Sequence, residues 1–286
     1  MKKIYVILLT LVFLCGCEIT LGSTNDNSNT TNHITTSYTT KTPINNTTKP
    51  KLEYYNSITN QTGQDLVVAL YNIISNNRVL SYNDCWDAIS YTDEDPNNSN
   101  NVLLIYTGRS QAKTTKASGT DSSKQSYWNR EHVWPQSAFA SASNAKTDLH
   151  HLRASDVSVN STRGNKMFDE CSGSYIFDST TCDNLDSNLN TYCRTDSVAF
   201  EPRDEVKGDI ARMLFYMAVR YYNVLELVNN PVAANGETGC LDTLLKWHNS
   251  DPVDAYEERR NERIYEIQGN RNPFIDNPSY VNLIWK

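Results

Sequence analysis

Apolar and polar positions divide the chain into three stretches. Residues 4–14 are an apolar run, interrupted only by Thr10, behind Lys2 and Lys3. Eleven residues are too few to span a bilayer and suit the core of an export signal. Over residues 18–50 the pattern vanishes: 20 of these 33 positions are Ser, Thr or Asn. Such a segment cannot bury enough apolar surface to fold. Periodicity returns near residue 52. Leu66, Val67, Leu70, Ile73 and Ile74 fall on one face of a helix. Residues 102–106 are a short apolar run that reads as a strand. Ile210, Met213, Leu214, Met217, Tyr221, Leu225 and Val228 recur at helical spacing. Asp251 with Pro252 after it reads as a helix start, and Gly269 as a helix stop.

This pattern predicts a signal over residues 1–17, a disordered tether over 18–51 and one folded domain over 52–286. Leu14-Cys15-Gly16-Cys17 resembles the bacterial lipoprotein signal, in which the residue matching Cys17 becomes the lipidated start of the mature chain. The expected location is therefore outside the cytoplasm, held to a membrane by the lipid alone. As a coil the tether reaches about 30 Å. Behind Cys17 stand Cys85, Cys171, Cys182, Cys193 and Cys240. Their number is odd and no Cys-x-x-Cys occurs, so no zinc-ribbon spacing is present. A disulfide among Cys171, Cys182 and Cys193 suits an exported chain, with connectivity open.

Candidate chemistry concentrates between Tyr127 and Phe168, where three of the five histidines lie. Residues 126–133 and 148–153 read as two short strands. Ser155 is a candidate helix N-cap and Gly164 a candidate stop. Cleaving a phosphodiester requires a base to take a proton from water, and a neutral His serves near pH 7. It also requires stabilisation of charge on the phosphoryl and leaving oxygens, which a hard divalent cation with oxygen ligands supplies. His132 is the candidate base, and Glu131 and Asn160 the candidate ligands. Asn160 sits inside a short helix, where Asn is a poor choice on propensity. Neighbours on a regular strand face opposite sides, so Glu131 and His132 meet one site only if the strand distorts or ends there. Pro135 permits that.

At these residues the chain resembles the endonuclease I family, secreted and periplasmic non-specific nucleases with a ββα-metal, or His-metal finger, site. The resemblance runs through Arg130-Glu131-His132 with Pro135, Asp148-Leu149-His150, and Val159-Asn160 with Arg163-Gly164-Asn165. It continues through Leu245-Lys246-Trp247-His248, Asp251-Pro252 and Gly269 to Phe274, covering roughly residues 55 to 286. It implies an α+β fold: two short antiparallel strands and a short helix embedded in a largely helical domain. It implies His132 as general base and Glu131 and Asn160 as ligands of Mg²⁺, with Mn²⁺ or Ca²⁺ as substitutes. The implied substrates are DNA and RNA, cut with little sequence preference to leave 5′-phosphate ends. In relatives an arginine on the scissile phosphate lies in an insertion between the two strands. Here that loop, residues 136–147, has no arginine. Arg130, Arg153 and Arg163 are the candidates for its role.

Charge refines the picture. The chain carries −7 overall, yet residues 109–166 hold nine Lys or Arg against four Asp or Glu. A basic window on an acidic body fits local phosphate engagement, with Lys113, Lys116 and Lys124 as candidate contacts and Arg271 as a more distant one. Trp128 and Trp134 are candidates for base stacking or for core. His150 and His151 alternate along a strand, so at least one is expected to pack. A monomer is expected. The competing reading is a surface lipoprotein that binds nucleic acid or a host ligand without cutting it.

Overall fold

In the computed structural model the described residues are 51–118, 127–139, 142–178, 189–232 and 235–285. The export signal, Cys17, the tether up to residue 50, Lys124 and Cys182 lie outside them. In chain order the elements begin with α1 (Lys51–Tyr54), α2 (Gly63–Ile74) and α3 (Cys85–Thr92). An antiparallel sheet follows, β1 (Glu94–Asp95), β2 (Asn98–Leu103) and β3 (Ser110–Ala112). Next come β4 (Trp128–His132), β5 (Leu152–Asp156) and α4 (Val157–Arg163). A four-stranded sheet, in spatial order β6-β9-β8-β7, uses β6 (Met167–Phe168), β7 (Ser174–Asp178), β8 (Leu189–Thr195) and β9 (Ala199–Glu201). The remainder is α5 (Lys207–Arg220), the β10 (Glu226–Leu227) and β11 (Glu237–Thr238) pair, α6 (Leu241–Ser250), α7 (Ala255–Gln268), α8 (Pro273–Asp276) and α9 (Tyr280–Ile284). The class is α+β with small sheets.

Two apolar cores flank the β4–β5 pair. One gathers Leu66, Leu70 and Ile74 of α2 with Ile210, Leu214 and Met217 of α5, and it takes in Val133, Trp134 and Val159 beside the strand pair. The other joins Ile89 of α3, Val102, Leu152, Ala154, Trp128 and Ile264 of α7. Each fully buried Leu or Ile contributes on the order of 1.5–3 kcal/mol. Helix α5 is buried on every side from Gly208 to Arg220, and so reads as the central rod of the domain. Gly208 has no room for a side chain, since a Cβ there would lie 2.1 Å from the Asp251 carbonyl oxygen. Trp128 and Trp134 are fully buried, so both belong to the core and neither offers a face to bases.

Several expected boundaries move. The run 102–106 is only the end of β2, which stops at Leu103. Strand β5 starts at Leu152, and residues 148–151 form a turn instead of the first half of a strand. The N-cap of α4 is Asp156, whose carboxylate accepts from Ser158 N (2.8 Å) and Val159 N (3.1 Å). Ser155 stays in the strand, opposite Asn129. Helix α5 ends at Arg220, although Leu225 and Leu227 stay buried beyond it. The start of α7 is capped by Asp254 on Glu257 N (2.8 Å). Asp251 instead accepts from Gly208 N (2.8 Å). Gly164 closes α4 with φ +57° and Gly269 closes α7 with φ +79°. Among the described residues Cys85, Cys171, Cys193 and Cys240 are free thiols, so no bridge joins Cys171 to Cys193.

Candidate active site

Strands β4 and β5 pair antiparallel, with Glu131 opposite Arg153 and His132 opposite Leu152. Alternation along β4 sorts its side chains. Arg130 and His132 leave one face, toward Tyr82. Asn129 and Glu131 leave the other, beneath α4.

The His132 ring is 5% exposed. It stacks on Tyr82 at 5.9 Å between centroids, with Phe139 at 5.7 Å and His151 at 5.5 Å. Its Nε2 lies 3.0 Å from the Lys146 carbonyl oxygen. That oxygen can only accept, so Nε2 carries the proton and Nδ1 keeps the lone pair. The Gln136 amide nitrogen donates to Nδ1 at 3.1 Å. Burial, aided by His151, pulls the His132 pKa down to about 3. The imidazole is therefore neutral throughout the neutral pH range, with Nδ1 as its proton-accepting atom.

On the opposite face, Glu131 is 2% exposed. Its Oε1 accepts from the Tyr106 hydroxyl at 2.5 Å and pairs with Arg163 at 3.1 Å. Burial, then the Glu131 charge, raises the Tyr106 pKa well above its usual value, so Tyr106 remains a donor. Arg163 also donates to the carbonyls of His132 (3.0 Å) and Val133 (2.7 Å), tying α4 to the end of β4. Asn160 and Arg163 are one helical turn apart, so both face β4. Asn160 donates through Nδ2 to Asn129 Oδ1 at 2.7 Å. That contact uses the amide nitrogen and leaves Asn160 Oδ1 for another partner.

A cleft of about 380 Å³ opens beside these residues. Tyr82, Trp86 and Arg130 line it from one face of β4, and Asn129, Asn160 and Asn165 from the other. It thus wraps the edge of β4 not paired with β5. Glu131 and His132 lie behind its lining.

The three candidate arginines separate cleanly. Arg130 lines the cleft, with its guanidinium 3.5 Å from the Tyr82 ring centroid and 4.1 Å from that of Trp86, and it donates to the Tyr82 carbonyl. Arg153 is buried against Asp93 (2.9 Å) and Asp209 (3.6 Å). Arg163 is buried against Glu131 and the backbone carbonyls of His132, Val133 and Gly164. Part of the basic window pairs with acids outside it: Lys113 with Glu94 (2.6 Å), Lys116 with Asp87 (3.4 Å) and Arg153 with Asp93. Arg271 is buried and held by Glu262 (2.5 Å) and Asp276 (2.6 Å), which removes it from any accessible surface. The exposed Lys146 ammonium sits 4.6 Å over Tyr82 and joins Arg130 beside the site.

His150 and His151 are scaffold. His151 bonds the Ala145 carbonyl (2.7 Å) through Nε2 and accepts from Trp134 N (3.3 Å) through Nδ1. His150 reaches the Asn270 carbonyl (3.3 Å) and packs on Tyr216. Asp148 accepts from the Tyr216 and Tyr221 hydroxyls (2.9 and 3.0 Å), pinning the 148–151 turn to α5 and the residue after it. Among the described residues no three His, Cys, Asp or Glu side chains converge as a metal cluster.

Sequence reasoning missed Asn129, Gln136, Tyr82 and Tyr106. The first two had a readable signal. Asn129 shares Glu131's strand face by period two, and Gln136 directly follows Pro135. Tyr82 and Tyr106 arrive from remote turns and left none.

The family model described as Endonuclease I matches residues 62–279. The chain is 47% identical over 243 residues to an extracellular ribonuclease of Bacillus amyloliquefaciens, covering 81% of this chain and 78% of the relative. It is 45% identical to an extracellular ribonuclease of Bacillus subtilis with the same coverage. A shorter match, 35% over 75 residues and 26% of this chain, links it to an extracellular deoxyribonuclease of Aeromonas hydrophila. The model match and the two long alignments both span the β4–β5–α4 unit, and the chain belongs to the endonuclease I family.

Proposed function

We propose that this chain is an exported, metal-dependent endonuclease that hydrolyses phosphodiester bonds of RNA and DNA with little sequence preference. We further propose that Cys17 carries its lipid anchor. The observation that carries the reading is the 3.0 Å contact of His132 Nε2 with the Lys146 carbonyl, which selects the tautomer. A buried, neutral imidazole whose Nε2–H is spent on a carbonyl presents Nδ1 as a base, and nucleic-acid binding alone requires no such atom. The long matches to two extracellular ribonucleases favour RNA as a substrate.

The donor set suits Mg²⁺. Glu131 Oε2 and Asn160 Oδ1 are hard oxygens without a partner among the described residues, and two such ligands suit an ion that keeps much of its water. Glu131 is held by Tyr106 and Arg163, and Asn160 by Asn129, so these two oxygens would hold the ion. When bound, the ion supplies positive charge against the phosphoryl and leaving oxygens. Arg130, held against Tyr82 and Trp86 in the cleft lining, is the arginine that would bind the phosphate. His132 Nδ1 takes the proton from the attacking water. Glu131 and His132 leave opposite faces of β4, and the cleft joins those faces around the strand edge. A phosphate lying across that edge is the substrate pose this account requires.

Incubating the purified protein with RNA and with plasmid DNA tests the reading. Cutting of both in Mg²⁺, reduced or retained in Mn²⁺ and Ca²⁺ and abolished by EDTA, is the expected result. Undiminished cutting in EDTA removes the metal. Binding without cutting in every metal returns the chain to a non-catalytic lipoprotein.

A further inference from the structure

The base proposed above is closed off except at one point. Tyr82 covers a face of the His132 ring, Phe139 and His151 crowd it, and Lys146 takes Nε2. The remaining polar approach is Nδ1, and Gln136 stands on it. The Gln136 backbone is fixed. It opens a single 3-10 turn, Gln136–Ala138, after Pro135. That turn is held by Ala138 N on the Pro135 carbonyl (2.9 Å), Phe139 N on the Gln136 carbonyl (3.2 Å) and the Trp134 indole on the Ala138 carbonyl (3.1 Å). Its side chain, by contrast, is exposed, and its bond to His132 Nδ1 is not among those that hold the turn.

We propose that Gln136 is the positioning residue for the attacking water. The inference rests on the reading of His132 as general base. In the resting protein the carboxamide nitrogen occupies the place beside Nδ1 that the water must take. When substrate enters, a rotation of the side chain admits water between Nδ1 and the carboxamide. The water then donates one hydrogen to Nδ1 and the other to Gln136 Oε1, which points its lone pair toward phosphorus. As the new P–O bond forms, the first proton passes to Nδ1 and the P–O bond to the leaving oxygen breaks with its electron pair going to that oxygen, which takes a proton from solvent water while Nδ1 returns its own to solvent. The second hydrogen stays on the product phosphate. A carboxamide suits this task because it both donates and accepts while carrying no charge to repel the phosphate. It neither takes the proton nor binds the ion.

A double-mutant cycle between Gln136 and His132 tests this, with kcat and KM measured on RNA at saturating Mg²⁺. Gln136→Ala is expected to lower kcat about 10- to 100-fold, within the general range for misplacing a reacting group, with KM within about twofold. Gln136→Asn, which keeps the carboxamide on a shorter stem, recovers part of the loss. The decisive reading is the double variant, which is expected to be no slower than His132→Ala alone, because a water without a base gains nothing from being aimed. Equal multiplication of the two losses overturns the inference, as does an unchanged or raised kcat in Gln136→Ala, which makes the side chain a mere cover. A parallel fall in kcat and melting temperature, unrescued by Asn, assigns Gln136 a structural role and also overturns it. If His132→Ala itself cuts at the wild-type rate, the general-base reading fails instead, and the two failures are told apart.

Discussion

His132→Ala is expected to slow cleavage by about 10²–10⁴-fold at saturating Mg²⁺, the usual contribution of a positioned general base. Substrate affinity should change little, because the imidazole is 5% exposed and lies behind the cleft lining. The direction of its pKa adds a second mark. Burial holds His132 at about 3, and a lowered pKa keeps the neutral, proton-accepting form present above that value. Between about pH 5 and 8 His132 therefore contributes no acid limb to the rate profile of the wild type. Steady-state rates of the two proteins over that range check both statements. A folded His132→Ala protein near the wild-type rate removes His132 from the chemistry.

The second large effect is on stability. Asp93→Ala is expected to destabilise the domain by about 3–5 kcal/mol, the cost of leaving a buried charge without its partner. Asp93 is fully buried between Arg260 (2.7 Å) and Arg153 (2.9 Å), and it accepts from Ala154 N at 2.8 Å. Its loss leaves the buried Arg260 guanidinium without a carboxylate, leaves Arg153 only the longer contact with Asp209 (3.6 Å), and frees the Ala154 amide of β5. Burial alone would raise the carboxyl's pKa, but Arg260, Arg153 and the Ala154 amide outweigh it and hold the value below normal. A depressed folded-state pKa means that this stability is present above the ordinary carboxyl pKa of about 4 and is lost as pH falls below it. Urea unfolding at pH 7 and at pH 3 measures both. The wild-type–variant difference should shrink at the lower pH, and a difference under about 1 kcal/mol at pH 7 contradicts the role given to Asp93.

The candidate site residues could be named from the sequence, whereas the side chains that hold them could not. Local signals worked where the chain itself supplies the partner. The α2 stripe packs as spaced, and Gly164 and Gly269 end their helices in positive φ. Cap choice failed where two good residues compete, because the winner is decided by distant atoms. Asp156 caps α4 because β5 carries Ser155 into the sheet. Asp254 caps α7 because Asp251 is drawn to the amide of Gly208. Charge counting along residues 109–166 could not see Asp87, Asp93, Glu94 or Asp209, which arrive from α3, the β1 region and α5 and pair with part of the window. The same blindness left three arginines undecided. Burial and pairing separate them at once. The expected difficulty that Glu131 and His132 face opposite ways is real: the two side chains leave opposite faces of β4, and neither lines the cleft at its edge.

In the proposed mechanism His132 acts on the water while Glu131 and Asn160 hold the ion. The most direct test is the cleavage rate as a function of Mg²⁺ concentration for the wild type, His132→Ala, Glu131→Ala and Asn160→Ala. The account predicts that the two ligand variants need more Mg²⁺ and regain part of their rate as it rises. It predicts that His132→Ala keeps the wild-type Mg²⁺ midpoint at a plateau lower by about 10²-fold or more. A His132→Ala plateau equal to the wild type, or Mg²⁺ midpoints unmoved in both ligand variants, would contradict it.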